Sequence, residues 1–294
     1  MTTNATNTVP MQRIKTIYEK KEHIAYLTIN NPEKANVLDQ VVIEEMGAAF
    51  KDYWEDREMR CLILTGVGDR HFSAGHNIQP PPPGTTEEQR HLQQVERFIY
   101  PPAGTVNGAR VNVVNGGYEF PQIYKPVIAA INGWAAGAGL YTALTTADIR
   151  IACREHARFF YAFTSNLGGI GSGPAATRIM KQLNYAHAMK FLLMDEPVDA
   201  DEAVRIGLIN EAVPHDQLMA RAEQIAQKIC TLPPIAVRFL KEFLIRGQDM
   251  NQDQAWHLQW LYNHLASIHS EDAFDAAAAF REKRPRRITG KVRA

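Results

Sequence analysis

Cysteine is scarce: Cys61, Cys153 and Cys230 are the only three among 294 residues. An odd number of widely spaced thiols with no Cys-x-x-Cys pair encodes neither a disulfide framework nor a zinc site. Net charge is missing as well, since 32 basic side chains offset 32 acidic ones. A neutral total argues against a surface that grips nucleic acid or an anionic membrane throughout. From Met1 to Met11 the chain is Thr/Asn-rich and lacks the basic-then-apolar pattern of a secretory leader, so a cytoplasmic location is expected. The long uncharged run from Pro126 to Ala147 is diluted by Asn132, three glycines and three threonines. That dilution favours a strand, a glycine turn and a buried helix over a membrane span. With 45% apolar and 22% charged residues, the rest is ordinary globular composition, long enough to bury a core without cross-links.

Strand and helix patterns alternate through the first two thirds. His23 to Asn30 is β-rich and ends at the turn signal Asn31-Pro32. From Asp39 onward, Val42, Met46, Ala49, Phe50 and Tyr53 recur at helical spacing, and Cys61 to Thr65 reads as a short apolar strand. Strand, helix and strand make a βαβ-like unit and hence an α/β fold. Pro80 to about Tyr118 reads as an insertion or lid, with a helical stretch at Glu87 to Ile99. Strands are expected at Val127 to Ile131, Ile149 to Ala152 and Phe159 to Phe163. Helices are expected at Ala175 to Leu193, Ala200 to Ile206, His215 to Cys230, Pro234 to Arg246 and Gln254 to Ser270.

Two glycine-bearing turns each lead from a strand toward a helix: Phe72-Ser73-Ala74-Gly75-His76-Asn77 and Asn132-Gly133-Trp134-Ala135-Ala136-Gly137-Ala138-Gly139. Such turns leave backbone N–H groups at a helix start pointing into a cleft, and two converging donors make an oxyanion hole. The same small residues also suit close packing of helix on sheet, and the pattern alone leaves both readings open.

These two turns resemble the FxAGxD and NGxAxGGG segments of the crotonase superfamily, the enoyl-CoA hydratases and isomerases. Ile24 to Asn36, ending in Pro32-Glu33-Lys34-Ala35-Asn36, is similar to that family's opening strand and PEKxN loop. Val198 to Ala203 with Gly207-Leu208-Ile209-Asn210, and Ala279 to Pro285, are similar to its later motifs, so the resemblance spans about residues 13–291. It implies a spiral of ββα units at 11–210 and a helical trimerisation region at 211–294. It further implies a homotrimer or dimer of trimers, and an acyl-CoA thioester whose enolate is held in a backbone oxyanion hole. No tightly bound cofactor, metal, nucleic acid or membrane is implied; coenzyme A is part of the substrate. The implied oxyanion donors are the N–H groups of His76 and Ala138. Coenzyme A contacts map to Lys34, Ala35, Ser73, Ala74, Asn77 and Ile78, with Phe280 and Lys283 reaching it from the C-terminal region, expected on a neighbouring subunit.

The departures from the family are as informative as the matches. Hydratases of this family place water with two glutamates; here the corresponding positions hold Tyr141 and Thr164. A threonine is no base near neutral pH, and a phenol with an ordinary pKa of about 10 acts at most as an acid or hydrogen-bond donor. Tyr141 is therefore the leading catalytic candidate, with packing as the alternative. Glu119, beside Tyr118, and the His76 ring are further candidates. Isomerisation, hydration and lyase chemistry stay open. So do a CoA-independent C–C bond hydrolase of a β-diketone on the same fold and a catalytically silent scaffold.

Other patterns carry less. Gly171-Ser172-Gly173-Pro174-Ala175-Ala176 with Asp195 mimics a dinucleotide fingerprint, but Pro174 inside the turn and the Asp-Glu-Pro setting of Asp195 speak against it. His257, His264 and His269 have no carboxylate partner at ligand spacing. The basic run Arg281, Lys283, Arg284, Arg286, Arg287, Lys291 and Arg293 reads as a flexible solvated tail or as a contact for coenzyme A phosphates.

Overall fold

The computed structural model describes residues 14–78, 83–99, 123–171 and 175–293. In chain order these residues form β1 (Thr16–Lys21), β2 (Ile24–Ile29), α1 (Gln40–Glu55), β3 (Cys61–Gly66), β4 (His71–Ser73) and α2 (Glu87–Ile99). Then come β5 (Val127–Ile131), β6 (Trp134–Ala136), α3 (Ala138–Thr146), β7 (Ile149–Cys153), β8 (Arg158–Phe160) and α4 (Thr164–Leu167). They are followed by α5 (Ala175–Gln182), α6 (Tyr185–Met194), β9 (Val198–Asp199), α7 (Ala200–Arg205) and β10 (Glu211–Val213). The chain closes with α8 (Leu218–Cys230), α9 (Pro234–Gly247), α10 (Gln252–His269) and α11 (Glu271–Glu282).

The strands sort into two sheets, in the orders β1-β2-β3-β5-β7-β10 and β4-β6-β8-β9. Three successive pairs, β3/β4, β5/β6 and β7/β8, each put one strand in the larger sheet and the next in the smaller one. That repeated step from sheet to sheet winds the body into a spiral of ββα type. Pairing from β2 through β10 in the larger sheet is parallel, as the βαβ reading of β2, α1 and β3 requires.

Parallel central strands are apolar on both faces, and these divide their residues by alternation. Leu62, Leu64, Val127 and Ala129 face the main core with α1 and α3, whereas Cys61, Ile63, Ile128 and Ala130 face a second core sealed by α8. Helix α1 starts where Asp39 accepts the Val42 N–H at 3.1 Å, and it buries Val42, Ile43, Met46, Ala49, Phe50 and Tyr53. Strand β10 pairs with β7, and α8 packs on β3 and β5, so both attach to the body although they lie past residue 210.

Two expected elements are corrected. The helix expected at Ala175 to Leu193 is two helices, because the Asn184 side chain accepts the His187 N–H and starts α6 afresh. The strand expected at Phe159 to Phe163 stops at Phe160, since Ala162 adopts φ = 63° and turns the chain away. Strands β4, β6, β9 and β10, of two or three residues each, carry no period long enough to read, while β1 and α11 are additions to the expected elements. Among the described residues, no helix is long and apolar enough to cross a membrane.

The C-terminal tail is not a loose one. Asp272, fully buried, accepts the N–H of Thr289 at 2.6 Å and of Gly290 at 3.0 Å, and the Thr289 hydroxyl at 2.9 Å. Arg284 pairs with Asp275 and Glu282, and the Arg293 guanidinium lies 3.7 Å from the Phe274 ring centroid. Arg281, Lys283, Arg286, Arg287 and Lys291 remain exposed.

Candidate active site

Two buried asparagines set the shape of the site. Asn36 accepts the Asn31 N–H at 3.0 Å and donates to the carbonyls of Val67 at 3.1 Å and His71 at 2.7 Å. Asn132 accepts the Gly66 N–H at 3.1 Å and donates to the carbonyls of Gly68 at 2.7 Å and His71 at 3.2 Å. Both amides thus converge on the turn between β3 and β4, giving its buried backbone groups partners in place of water. In the sequence Asn36 and Asn132 stand inside the two motifs, and Asn132 also dilutes an apolar run, but neither is marked as a buried clamp. A hydrogen-bonding side chain at the end of a buried apolar strand was the available signal.

Held in this way, the segment after β4 runs alongside residues 35–38. Ala74 N–H donates to the Ala35 carbonyl at 3.0 Å, Leu38 N–H to that of Gly75 at 2.7 Å, and Asn77 N–H to that of Leu38 at 3.4 Å. Lys34, Ala35, Ala74, Asn77 and Ile78 are therefore brought to one rim, with Lys34, Ala74 and Ile78 exposed. Ser73 is placed differently. It is fully buried, and its hydroxyl accepts the Gly75 N–H at 3.1 Å.

The two glycine turns meet. Gly75 has φ = 99°, and a Cβ there would fall 2.8 Å from the Ala136 carbonyl oxygen and 3.0 Å from the Ala138 nitrogen. Gly139 is pressed against Ser73, where an added Cβ would come within 2.8 Å of the serine Cβ. Neither position tolerates a side chain, and the outcome is that β4's end and α3's start share backbone surface. Ala138 is the first residue of α3, where helix geometry leaves an N–H without an intrahelical acceptor, and the helix dipole adds positive potential. His76 follows Gly75 directly. The residue is exposed overall, yet desolvation lowers its imidazole below the ordinary value, against a hydrogen bond to the Leu38 backbone that raises it.

Tyr141 lies one turn beyond Ala138 on α3, in the main core and 2% exposed. Thr164 opens α4 and is exposed. The loop bearing it is held from behind by Asp195, whose carboxylate accepts the N–H of Ala162 at 2.6 Å and of Ser165 at 2.7 Å. Asp195 therefore organises this loop, and Gly171 approaches the Phe163 ring instead of opening a helix. Glu119 and Tyr118 lie outside the described residues. Phe280 on α11 is 87% exposed and Lys283, just past its end, is exposed; α11 packs against α10.

The fold and the paired turns define a crotonase-type scaffold, and comparison with known proteins gives the same class. Residues 19–291 match the enoyl-CoA hydratase/isomerase family model, and the chain belongs to that family within the crotonase superfamily. It is 33% identical to a short-chain-enoyl-CoA hydratase of Clostridium acetobutylicum, over 93% of this chain and 97% of the relative. A carnitinyl-CoA dehydratase of Citrobacter koseri is 32% identical over 89% and 93% of the two chains. Among solved structures, an enoyl-CoA hydratase/isomerase of Mycobacterium paratuberculosis superposes with a TM-score of 0.76 at 29% identity, covering 95% of this chain and all of that one. An enoyl-CoA hydratase of Bacillus anthracis gives 0.77 at 26% identity, with the same coverage.

Proposed function

We propose that the protein processes acyl-CoA thioesters by holding the thioester oxygen between the backbone N–H groups of His76 and Ala138 as an enolate develops. The carrying observation is the meeting of the two turns, with Gly75 and Ala138 so close that a single methyl group would not fit between them. Main-chain donors fixed in this way need no reorganisation as negative charge grows on the oxygen, which is the source of oxyanion-hole catalysis. An alanine at 138 serves as well as glycine, because the donor is the backbone.

Coenzyme A is recognised at the rim formed by Lys34, Ala35, Ala74, Asn77 and Ile78, with Ser73 acting through the turn it shapes. Phe280, Lys283 and the exposed basic residues near them meet the nucleotide from a neighbouring subunit of a trimer or dimer of trimers. The reaction is set beside the substrate's α and β carbons, where Tyr141 and Thr164 replace the two glutamates of hydratases. Tyr141 supplies a hydroxyl for proton donation, and no carboxylate pair activates water there. Isomerisation or C–C cleavage through the enolate fits this arrangement better than hydration.

A second reading rests on His76. Desolvation keeps its ring neutral to a lower pH than usual while a hydrogen bond to the Leu38 backbone engages it, and a neutral imidazole at this place suits a CoA-independent β-diketone hydrolase. One experiment separates the two. Calorimetry with acetoacetyl-CoA, followed by product analysis on an acyl-CoA panel, is expected to show micromolar-range binding and turnover that falls about 100-fold in Tyr141→Phe. No binding at millimolar ligand, with turnover of a diketone panel free of CoA, would select the second reading.

A further inference from the structure

Cys153 ends β7, and the chain then folds back on itself, with the Ala157 N–H donating to the Cys153 carbonyl at 3.1 Å. This tight turn brings His156 over Cys153. On the neighbouring strand, Val213 pairs in register with Cys153, and Arg154 N–H donates to the Val213 carbonyl at 2.9 Å. Two residues past Val213, after Pro214, His215 opens the short turn that leads into α8. The register therefore carries His215 to the same spot. The ligand atoms of Cys153, His156 and His215 all lie within 4.8 Å of one another, and the two imidazole centroids are 5.1 Å apart.

A fourth donor is at hand. Oε2 of Glu155 accepts the Cys153 thiol at 3.2 Å and the backbone N–H of His215 at 3.0 Å. In addition, Nδ1 of His215 is buried without a hydrogen-bond partner among the described residues. A buried imidazole nitrogen left unpaired is costly, and it belongs to one of the clustered groups. One thiol and two imidazoles on a single spot, with a carboxylate beside the thiol, match the borderline-soft preferences of zinc, not those of magnesium or calcium. Bond lengths of about 2.0–2.3 Å imply tetrahedral edges of roughly 3.3–3.8 Å, so the three clustered side chains need to close by at most roughly 1.0–1.5 Å, and the Glu155 carboxylate has to swing in as the fourth ligand.

We propose that Cys153, His156, His215 and Glu155 form a structural zinc site, separate from the acyl-CoA site. The cation takes the place of the Cys153 thiol proton, which leaves to solvent. With all four positions filled by protein, the site has no open coordination for catalysis; it bolts the end of β7 to the start of α8. Cysteine spacing alone excluded zinc because the third ligand lies about sixty residues away and arrives through strand register.

The test uses the full chain without a polyhistidine tag, stripped with chelator and titrated with Zn²⁺ by calorimetry and with Co²⁺ by absorption. One equivalent of zinc per chain is expected, together with a thiolate-to-cobalt charge-transfer band and a higher Tm. His156 is exposed, so His156→Ala leaves the fold intact; it is expected to weaken zinc binding at least about 100-fold. Cys153→Ser abolishes the charge-transfer band, whereas His257→Ala on α10 changes neither readout. Absence of the band in the unmodified protein, or zinc affinity unchanged in His156→Ala, overturns the proposal.

Discussion

The spiral body and the C-terminal helices bury their apolar groups in different ways. In the body, the central strands are closed on both faces and even turn asparagines have their hydrogen bonds filled. In α10 no residue is buried, and Trp256, Trp260 and Leu261 face solvent, as do Leu240 and Leu244 on α9. Helix α10 is held to α9 by contacts such as the stacked rings of Phe239 and Tyr262, centroids 5.1 Å apart. The body encloses two apolar cores, although Ile170, Tyr185 and Leu193 stay exposed on it, whereas α10 buries no residue at all. An apolar face of this kind is ordinary at a subunit interface and unusual on a monomer.

That contrast can be broken most forcefully at the meeting of the turns. Gly139→Ala puts a methyl group into Ser73, and a loss of more than about 3 kcal/mol by denaturant unfolding is expected, with acyl-CoA binding abolished. A near-silent substitution there would mean the turns are not tightly packed. Asn132→Ala strands the buried Gly66 N–H and should cost about 2–3 kcal/mol in the same measurement.

Asp39→Ala removes the cap of α1 and should cost about 1 kcal/mol. The ion pair with Lys15 and the Val42 N–H hold the Asp39 carboxyl below the ordinary carboxylate value despite opposing desolvation. Its stabilisation is therefore present above pH 4 and lost as pH falls through the folded pKa, which acid unfolding of the variant against the parent would show. The smallest effect on the chain itself is expected on α10. Trp260→Ser should change single-chain stability by less than about 0.5 kcal/mol while shifting the sedimentation profile toward monomer. A large loss of stability with assembly unchanged would erase the distinction between the two regions.

Much of the body was legible because long buried strands and a capped amphipathic helix announce themselves. Val127–Ile131 is the strand expected, and Asp39 marks the start of α1 as its capping chemistry suggests. The short strands β4 and β6 were hidden, as three residues hold no measurable alternation. Within the site, the glycine turns were visible as patterns, but their closeness was not. It depends on sheet order, which brings β4 beside β6 across about sixty residues of chain. Asp195, whose spacing mimics the acid of a dinucleotide fingerprint, is a clamp on a loop thirty residues upstream. A carboxylate's partners are a tertiary fact, and local sequence does not encode them.

The Asp195 clamp separates the holding of the α4 loop from the identity of what the loop displays. Both of its bonds go to main-chain N–H groups, of Ala162 and Ser165, and none to a side chain in between. Exchange at positions 163 and 164 therefore leaves the anchorage intact. The residue displayed at the loop's exposed start is thereby uncoupled from the bonds that hold the loop in place.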